Sequence, residues 1–149
     1  MLFLLDTNIL VIYVCELENF YDVRQKFNPF DESNRIAISI VTLGEIKAFA
    51  LRNKWGQRKN EKLEKLLSKF VIIDLNFGDI INRYAEIDTF SQGRLSGKIS
   101  NFTARNMGKN DLWIAATASV LEATLLTTDN DFNHLHDEFL AVAKIDLNI

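Results

Sequence analysis

Short apolar runs spaced by longer stretches of helical period constrain this chain more than any other feature. The runs are Met1–Leu5, Ile36–Ile40, Val71–Leu75, Thr124–Thr128 and Ala141–Ile145. Met1–Leu5 is apolar without alternation, as expected of a strand covered on both faces. Between the runs, Thr7–Glu16, Phe20–Phe27, Thr42–Lys54, Gln57–Lys69, Phe77–Phe90 and Asp111–Ala123 read as helices. Gln57–Lys69 places Leu63, Leu66 and Leu67 on one stripe, continued by Phe70, with lysines on the other side. Strands alternating with helices predict an α/β layer fold around a parallel sheet, and right-handed crossovers put helices on both of its faces. Ser91–Gly108, rich in glycine, serine and basic residues, reads as a mobile loop or a frayed helix.

The 149 residues contain one proline and six glycines, with no repeat and no linker-like stretch, so a single domain over 1–149 is expected. Cys15 is the only cysteine, which excludes an intramolecular disulfide and fits a reducing cytosol. Met1–Leu5 lacks the basic flank and longer apolar core of a signal peptide, and no run of about eighteen apolar residues exists to span a membrane. A soluble, cytoplasmic protein without a membrane partner is expected.

The net charge of −3 speaks weakly against a nucleic-acid partner, but the charges are segregated. Lys47 to Lys69 holds eight basic residues against two acidic ones, and Thr89 to Asn110 holds four basic residues and no acid. A mildly acidic protein can bind a polyanion through such patches.

Four carboxylates stand out, each with an ordinary explanation. Asp6 closes the first apolar run and suits a helix N-cap. Glu45 ends Thr42-Leu43-Gly44-Glu45, the pattern of a capping box. Asp111 would sit in a first helical turn, favoured by the macrodipole, with Asn110 an equal candidate for the cap. Asp129 follows the fourth run, where Asx residues form turns, and Asp131 adds a carboxylate two positions on. Their joint placement is less ordinary. Asp6, Glu45 and Asp129 follow apolar strands, and Asp111 starts the helix leading into the fourth. In an open parallel sheet, ligands bind beyond the carboxyl ends of the strands. Carboxylates gathered there repel one another unless protons or a cation join them. Hard cations such as Mg²⁺ or Mn²⁺ take oxygen ligands, polarise phosphate and acidify bound water.

Leu5-Asp6-Thr7-Asn8, Thr42-Leu43-Gly44-Glu45, Asn110-Asp111-Leu112-Trp113-Ile114-Ala115-Ala116 and Leu126-Thr127-Thr128-Asp129-Asn130-Asp131-Phe132 resemble, in order and spacing, the four acidic motifs of PIN-domain nucleases. Within that family the likeness is to VapC-type toxins of toxin–antitoxin pairs, and it covers Met1 to about Ala143. The resemblance implies a three-layer α/β/α sandwich with a mostly parallel sheet and Mg²⁺- or Mn²⁺-dependent cleavage of RNA. Asp6, Glu45, Asp111 and Asp129 match the catalytic, metal-holding acids, with Asp131 a further metal ligand. Asn8 and Thr127 match polar positions that brace those acids. The resemblance also implies a small antitoxin partner and a homodimer, for which Ile9, Leu10, Ile12 and Tyr13 offer a surface or, equally, core. Ser91–Gly108 is longer than the matching segment of the shortest members.

Arg94, Lys98, Arg105 and Lys109 are the better candidates for RNA phosphate contact, with Lys47 and Arg52 next and Phe102 a possible stacking surface. Lys62, Lys65 and Lys69 read as a solvated helix face, and Trp113 as core. A metal-assisted hydrolysis needs no histidine base; His134 and His136, two apart, read as surface or packing residues. A rival is a catalytically silent PIN-like module that binds RNA or protein, against which the intact acidic set argues. A phosphatase using Asp6 as phospho-acceptor would want Asp-x-Asp, and Asn8 stands at the second position.

Overall fold

A computed structural model of the chain describes residues 1–17 and 19–146. Its centre is a sheet of five strands, β1 (Leu2–Leu5), β2 (Arg35–Ser39), β3 (Val71–Ile73), β4 (Thr124–Thr127) and β5 (Ala141–Lys144), in the spatial order β3-β2-β1-β4-β5. Every neighbouring pair is parallel, so the expected mostly parallel sheet is wholly parallel. Leu4 lies across from Ala37 on one side and Leu125 on the other, which fixes β1 as the central strand.

Side chains alternate across the strands and divide the interior in two. Phe3 and Leu5 pack with α1 (Thr7–Cys15), α2 (Phe20–Lys26), α3 (Ile40–Arg52) and α4 (Gln57–Leu67) through Ile9, Val23, Ile46, Leu63 and Leu66. Leu4, Ala37 and Leu125 pack on the opposite face with α5 (Gly78–Ser91) and α6 (Lys109–Val120) through Ile87, Phe90, Leu112 and Ala116. Helices on two faces of one sheet make three layers, α/β/α, as expected. Ile9, Leu10, Ile12 and Tyr13 are all buried in the first of these cores, so core packing rather than a dimer surface accounts for them.

Several boundaries move. The second strand ends at Ser39, whose side chain caps α3 by accepting the Val41 N–H at 3.1 Å, so that helix starts two residues before the expected Thr42. Ser91–Gly108 is neither helical nor loose along its length. Arg105 N–H bonds the Ser91 carbonyl at 2.9 Å, Phe102 packs edge-on against Phe90 with ring centroids 5.1 Å apart, and Met107 is buried. Between β4 and β5 the chain runs only through a short 3₁₀ helix, Asn130–Leu135. No helix among the described residues is long and apolar enough to cross a membrane.

The strand order decides where a ligand would go. From β1 the chain moves outward to β2 and β3, then returns to the other side of β1 for β4. That reversal opens a crevice at the carboxyl ends of β1 and β4.

Candidate metal centre and active site

Asp6 is the first residue after β1 and is buried. One carboxylate oxygen accepts the Thr7 N–H at 2.8 Å, as an N-cap does, while the other accepts the Thr127 hydroxyl at 2.7 Å. The cap explanation therefore holds for only half of this carboxylate. Burial raises its pKa, the bonds from Thr127 and Thr7 counter that, and the neighbouring charges of Glu45 and Asp129 raise it again. Thr127, at the end of β4, also accepts the Asp129 N–H at 3.0 Å. One buried hydroxyl thus ties the acids of two adjacent strands together.

Glu45 sits in the second turn of α3. Because Ser39 is the cap, the capping-box explanation for Glu45 fails. Its carboxylate instead accepts the Thr7 hydroxyl at 2.8 Å and the Asn110 amide at 3.4 Å. Asn110 does not cap α6 either, since Gly108 occupies that place. Asp111 lies in the first turn of α6, and its pKa is pushed up to about 7 by burial first and then by the charges of Asp6, Asp129, Glu45 and Asp131. Asp129 caps the 3₁₀ helix by accepting the Asp131 N–H at 2.9 Å. Asp111, Asp129 and Asp131 each offer an oxygen within 4.8 Å of the others. Asn8 bonds Thr128 at 3.3 Å, next to Asp129, and so braces that turn from outside.

Asp111, Asp129 and Asp131 form the close group in the crevice at the switch point, and the charges of Asp6 and Glu45 act on Asp111 from the same crevice. Among the described residues none of them has a salt-bridge partner. Oxygen donors held this close, without a protein cation, have the chemistry that a hard divalent ion requires. The donor set fits Mg²⁺ or Mn²⁺.

The basic candidates separate. Arg52 shares a depression of about 480 Å³ with Glu45 and Asn110, so it faces the crevice. Lys47 turns away to Glu64, 3.7 Å from it, on α4. Lys98 pairs with Glu138 at 3.2 Å, just before β5 and hence at the amino-terminal edge of the sheet, away from the acids. Lys109 is exposed at the start of α6, and Arg94 and Arg105 line a separate depression. Phe102 is half-buried and packs edge-on against Phe90 and at a tilt against His134. Trp113 packs against Tyr84 at 4.2 Å, as a core residue would.

Thr7 and Asn110 hold Glu45, yet neither was singled out for that role from sequence; their partner is 38 and 65 residues distant, and nothing local marks the pairing. His134, read from the sequence as a surface or packing residue, makes a specific contact: Nε2 lies 2.7 Å from the buried Ser91 hydroxyl.

A model of the PIN domain matches residues 3–138. The chain belongs to the PIN-domain family. It is 30% identical over 129 residues, 87% of each chain, to ribonuclease VapC2 of Rickettsia felis. The solved structure of VapBC2 from Rickettsia felis, bound to a DNA fragment from its promoter, superposes with a TM-score of 0.69 at 25% identity, covering 98% of this chain and 100% of that one. A toxin–antitoxin complex from Klebsiella pneumoniae gives the same TM-score of 0.69 at 21% identity, over 97% and 98% of the two chains, which speaks for the fold alone. For this PIN domain, Thr127→Val is a sharp structural test. Valine keeps the shape but leaves Asp6 and the Asp129 N–H each short of a partner. A loss of about 1–3 kcal/mol in urea unfolding is expected, and unchanged stability would remove Thr127 from its bracing role.

Proposed function

We propose that this PIN domain, spanning the whole chain 1–149, is a cytoplasmic Mg²⁺- or Mn²⁺-dependent endoribonuclease and the toxin of a type II toxin–antitoxin pair. The observation that carries the reading is the meeting of Asp6, Glu45, Asp111, Asp129 and Asp131, drawn from four separate stretches of chain, at one sheet edge. The ribonuclease among its relatives and the VapBC2 structure among its structural neighbours support the same reading.

In this reading Asp6, Glu45, Asp111 and Asp129 hold the ion, with Asp131 beside them. When bound, a divalent ion offsets charge on the phosphate under attack and makes water more acidic. The chain supplies the rest. Thr127 and Thr7 fix Asp6, while Thr7 and Asn110 fix Glu45, so the carboxylates need not reorganise during the reaction. Arg52, opening onto Glu45, receives a phosphate of the RNA strand. Neither histidine faces the acids as a base: His134 is engaged by Ser91, and His136 accepts the Val142 N–H at 2.9 Å. A small antitoxin protein would block the crevice. A second copy of the chain needs a surface other than α1, and exposed Val71, Ile72, Phe77 and Ile81 around β3 and the start of α5 offer one.

The test is incubation with an end-labelled RNA, with and without Mg²⁺ or Mn²⁺. Cleavage that requires the ion and leaves no 2′,3′-cyclic phosphate is expected, because attack by water does not use the ribose 2′-hydroxyl. RNA binding without cleavage under either ion would favour the silent module instead.

A further inference from the structure

In the segment before α6, residues 92–106 enclose a depression of about 290 Å³ lined by Gln92, Arg94, Ala104, Arg105 and Asn106. No carboxylate lines it. Among the described residues neither arginine has an ion-pair partner. The nearest carboxylate along the chain, Asp88, is held by the Gln92 amide at 3.1 Å and does not line the depression. Two guanidinium groups therefore share one small concavity without a counter-charge.

The walls are built rather than draped. The backbone N–H of Arg105 bonds the Ser91 carbonyl at 2.9 Å, and its guanidinium carbon lies 5.9 Å from the centre of the Phe102 ring. Phe102 is held by Phe90 and His134, and His134 by the Ser91 hydroxyl. Gly93, at φ +73°, turns the chain so that Arg94 N–H bonds Thr89, a backbone conformation that suits glycine. Arg105 Nε is buried without a hydrogen-bond partner among the described residues. Guanidinium forks match the oxygens of phosphate better than any other common anion-binding side chain.

We propose that Arg94 and Arg105 form a phosphate-binding subsite that grips the RNA strand at a phosphate outside the acidic crevice. Arg105 lies three residues before Gly108, the cap of the helix whose first turn carries Asp111, so the depression belongs to the segment that leads into the acidic site. The subsite deepens the ribonuclease reading and rests on it for the identity of the ligand; the site's affinity for phosphate does not.

The experiment has two arms that fail separately. In the first, inorganic phosphate is titrated into the protein with ¹⁵N-labelled arginine. The Arg105 Nε–H resonance is expected to shift, and no shift at any phosphate concentration would overturn the subsite. In the second, cleavage of a ten-nucleotide RNA and of a dinucleotide is compared for the native chain, Arg94→Gln, Arg105→Gln and Arg105→Lys. KM for the longer RNA should rise about tenfold in either glutamine variant with kcat unchanged, its salt dependence should weaken by about one phosphate contact, and the dinucleotide should be unaffected. Lysine at 105 should recover part of the loss. Arg94 is exposed, so its variant keeps the fold even if Arg105→Gln loosens the loop. A resonance shift with no change in KM would mean a free-phosphate site and would overturn the RNA assignment. If the native chain cuts no RNA, the ribonuclease reading fails, while the phosphate titration still decides whether the subsite exists.

Discussion

Replacing Asp111 with Asn is expected to abolish ion-dependent RNA cleavage while making the ion-free protein more stable. The two effects share a cause. In the absence of a cation Asp111 is crowded by burial and by four other carboxylates, which push its pKa up to about 7. At pH 8 it is ionised against that opposition, and an uncharged amide of the same shape removes the repulsion. After allowance for solvent screening of a half-buried group, about 1 kcal/mol is a fair scale, a rise of roughly 2–4 °C in melting temperature for a chain of this size. The same amide is a poor ligand, and losing several kcal/mol of ion-assisted stabilisation costs about a thousandfold or more in rate. Asp6→Asn should cut activity as severely but with the opposite sign in stability. Both oxygens of Asp6 accept donors, and an amide nitrogen would face either Thr127 or the Thr7 N–H. Thermal melts in chelator beside cleavage of a labelled RNA read both quantities. An Asp111→Asn protein that melts lower without ion, or still cuts RNA, would contradict the shared-ion account.

The layering of the fold was legible because it rests on periodicity. Each apolar run became a strand, and the stripe of Leu63, Leu66 and Leu67 became the buried face of α4. What periodicity could not place were the ends. Ile40 looked like the last residue of a strand, but Ser39 offers its hydroxyl to Val41 N–H and begins the helix there. Val71–Leu75 shrank to Val71–Ile73, since a lone apolar run cannot say how far its neighbour pairs with it. The apolar helix Thr7–Cys15 was ambiguous for a related reason. A helix apolar all round is buried on every side, and here the whole of Ile9–Val14 is core.

The acids pointed to a site only through their joint placement and the family motifs, since no single residue overcame its local explanation. Each matched a cap or a turn, and for Asp6 and Asp129 the cap is real, so that local reading was correct and incomplete. Thr127 stood out only through the family resemblance; its bond to Asp6 spans 121 residues, and that of Thr7 to Glu45, which nothing in the sequence marked, spans 38. The basic residues show the same limit more sharply. Sequence placed Lys98 among the first candidates for RNA, and the fold turned it to Glu138, while Arg52, of lower standing, opens onto the crevice. Charge density along a chain says how much charge a segment has, not where its side chains point.

The same crowding makes ion binding depend on pH in a definite direction. Asp111 carries an ordinary pKa of 3.8 when unfolded and about 7 when folded without a cation. Its folded state therefore favours the proton: the stability it contributes is complete below about pH 4 and is lost as pH rises through 7. A divalent ion needs the ionised form, so below about pH 7 one proton must leave for each ion bound and the affinity falls by up to tenfold per pH unit. Above pH 7 the dependence levels off. At a hundred times its dissociation constant the ion adds about 2.7 kcal/mol to stability, or roughly 5–10 °C in a chain of this size. Calorimetric titration of Mn²⁺ into the native chain and Asp111→Asn, from pH 5.5 to 8.5, measures this directly. The account predicts native binding that tightens with pH up to about 7 and releases a proton below it, and a variant that binds weakly with little pH dependence. Native binding indifferent to pH, or equal in the variant, would contradict the claim that these carboxylates share one cation.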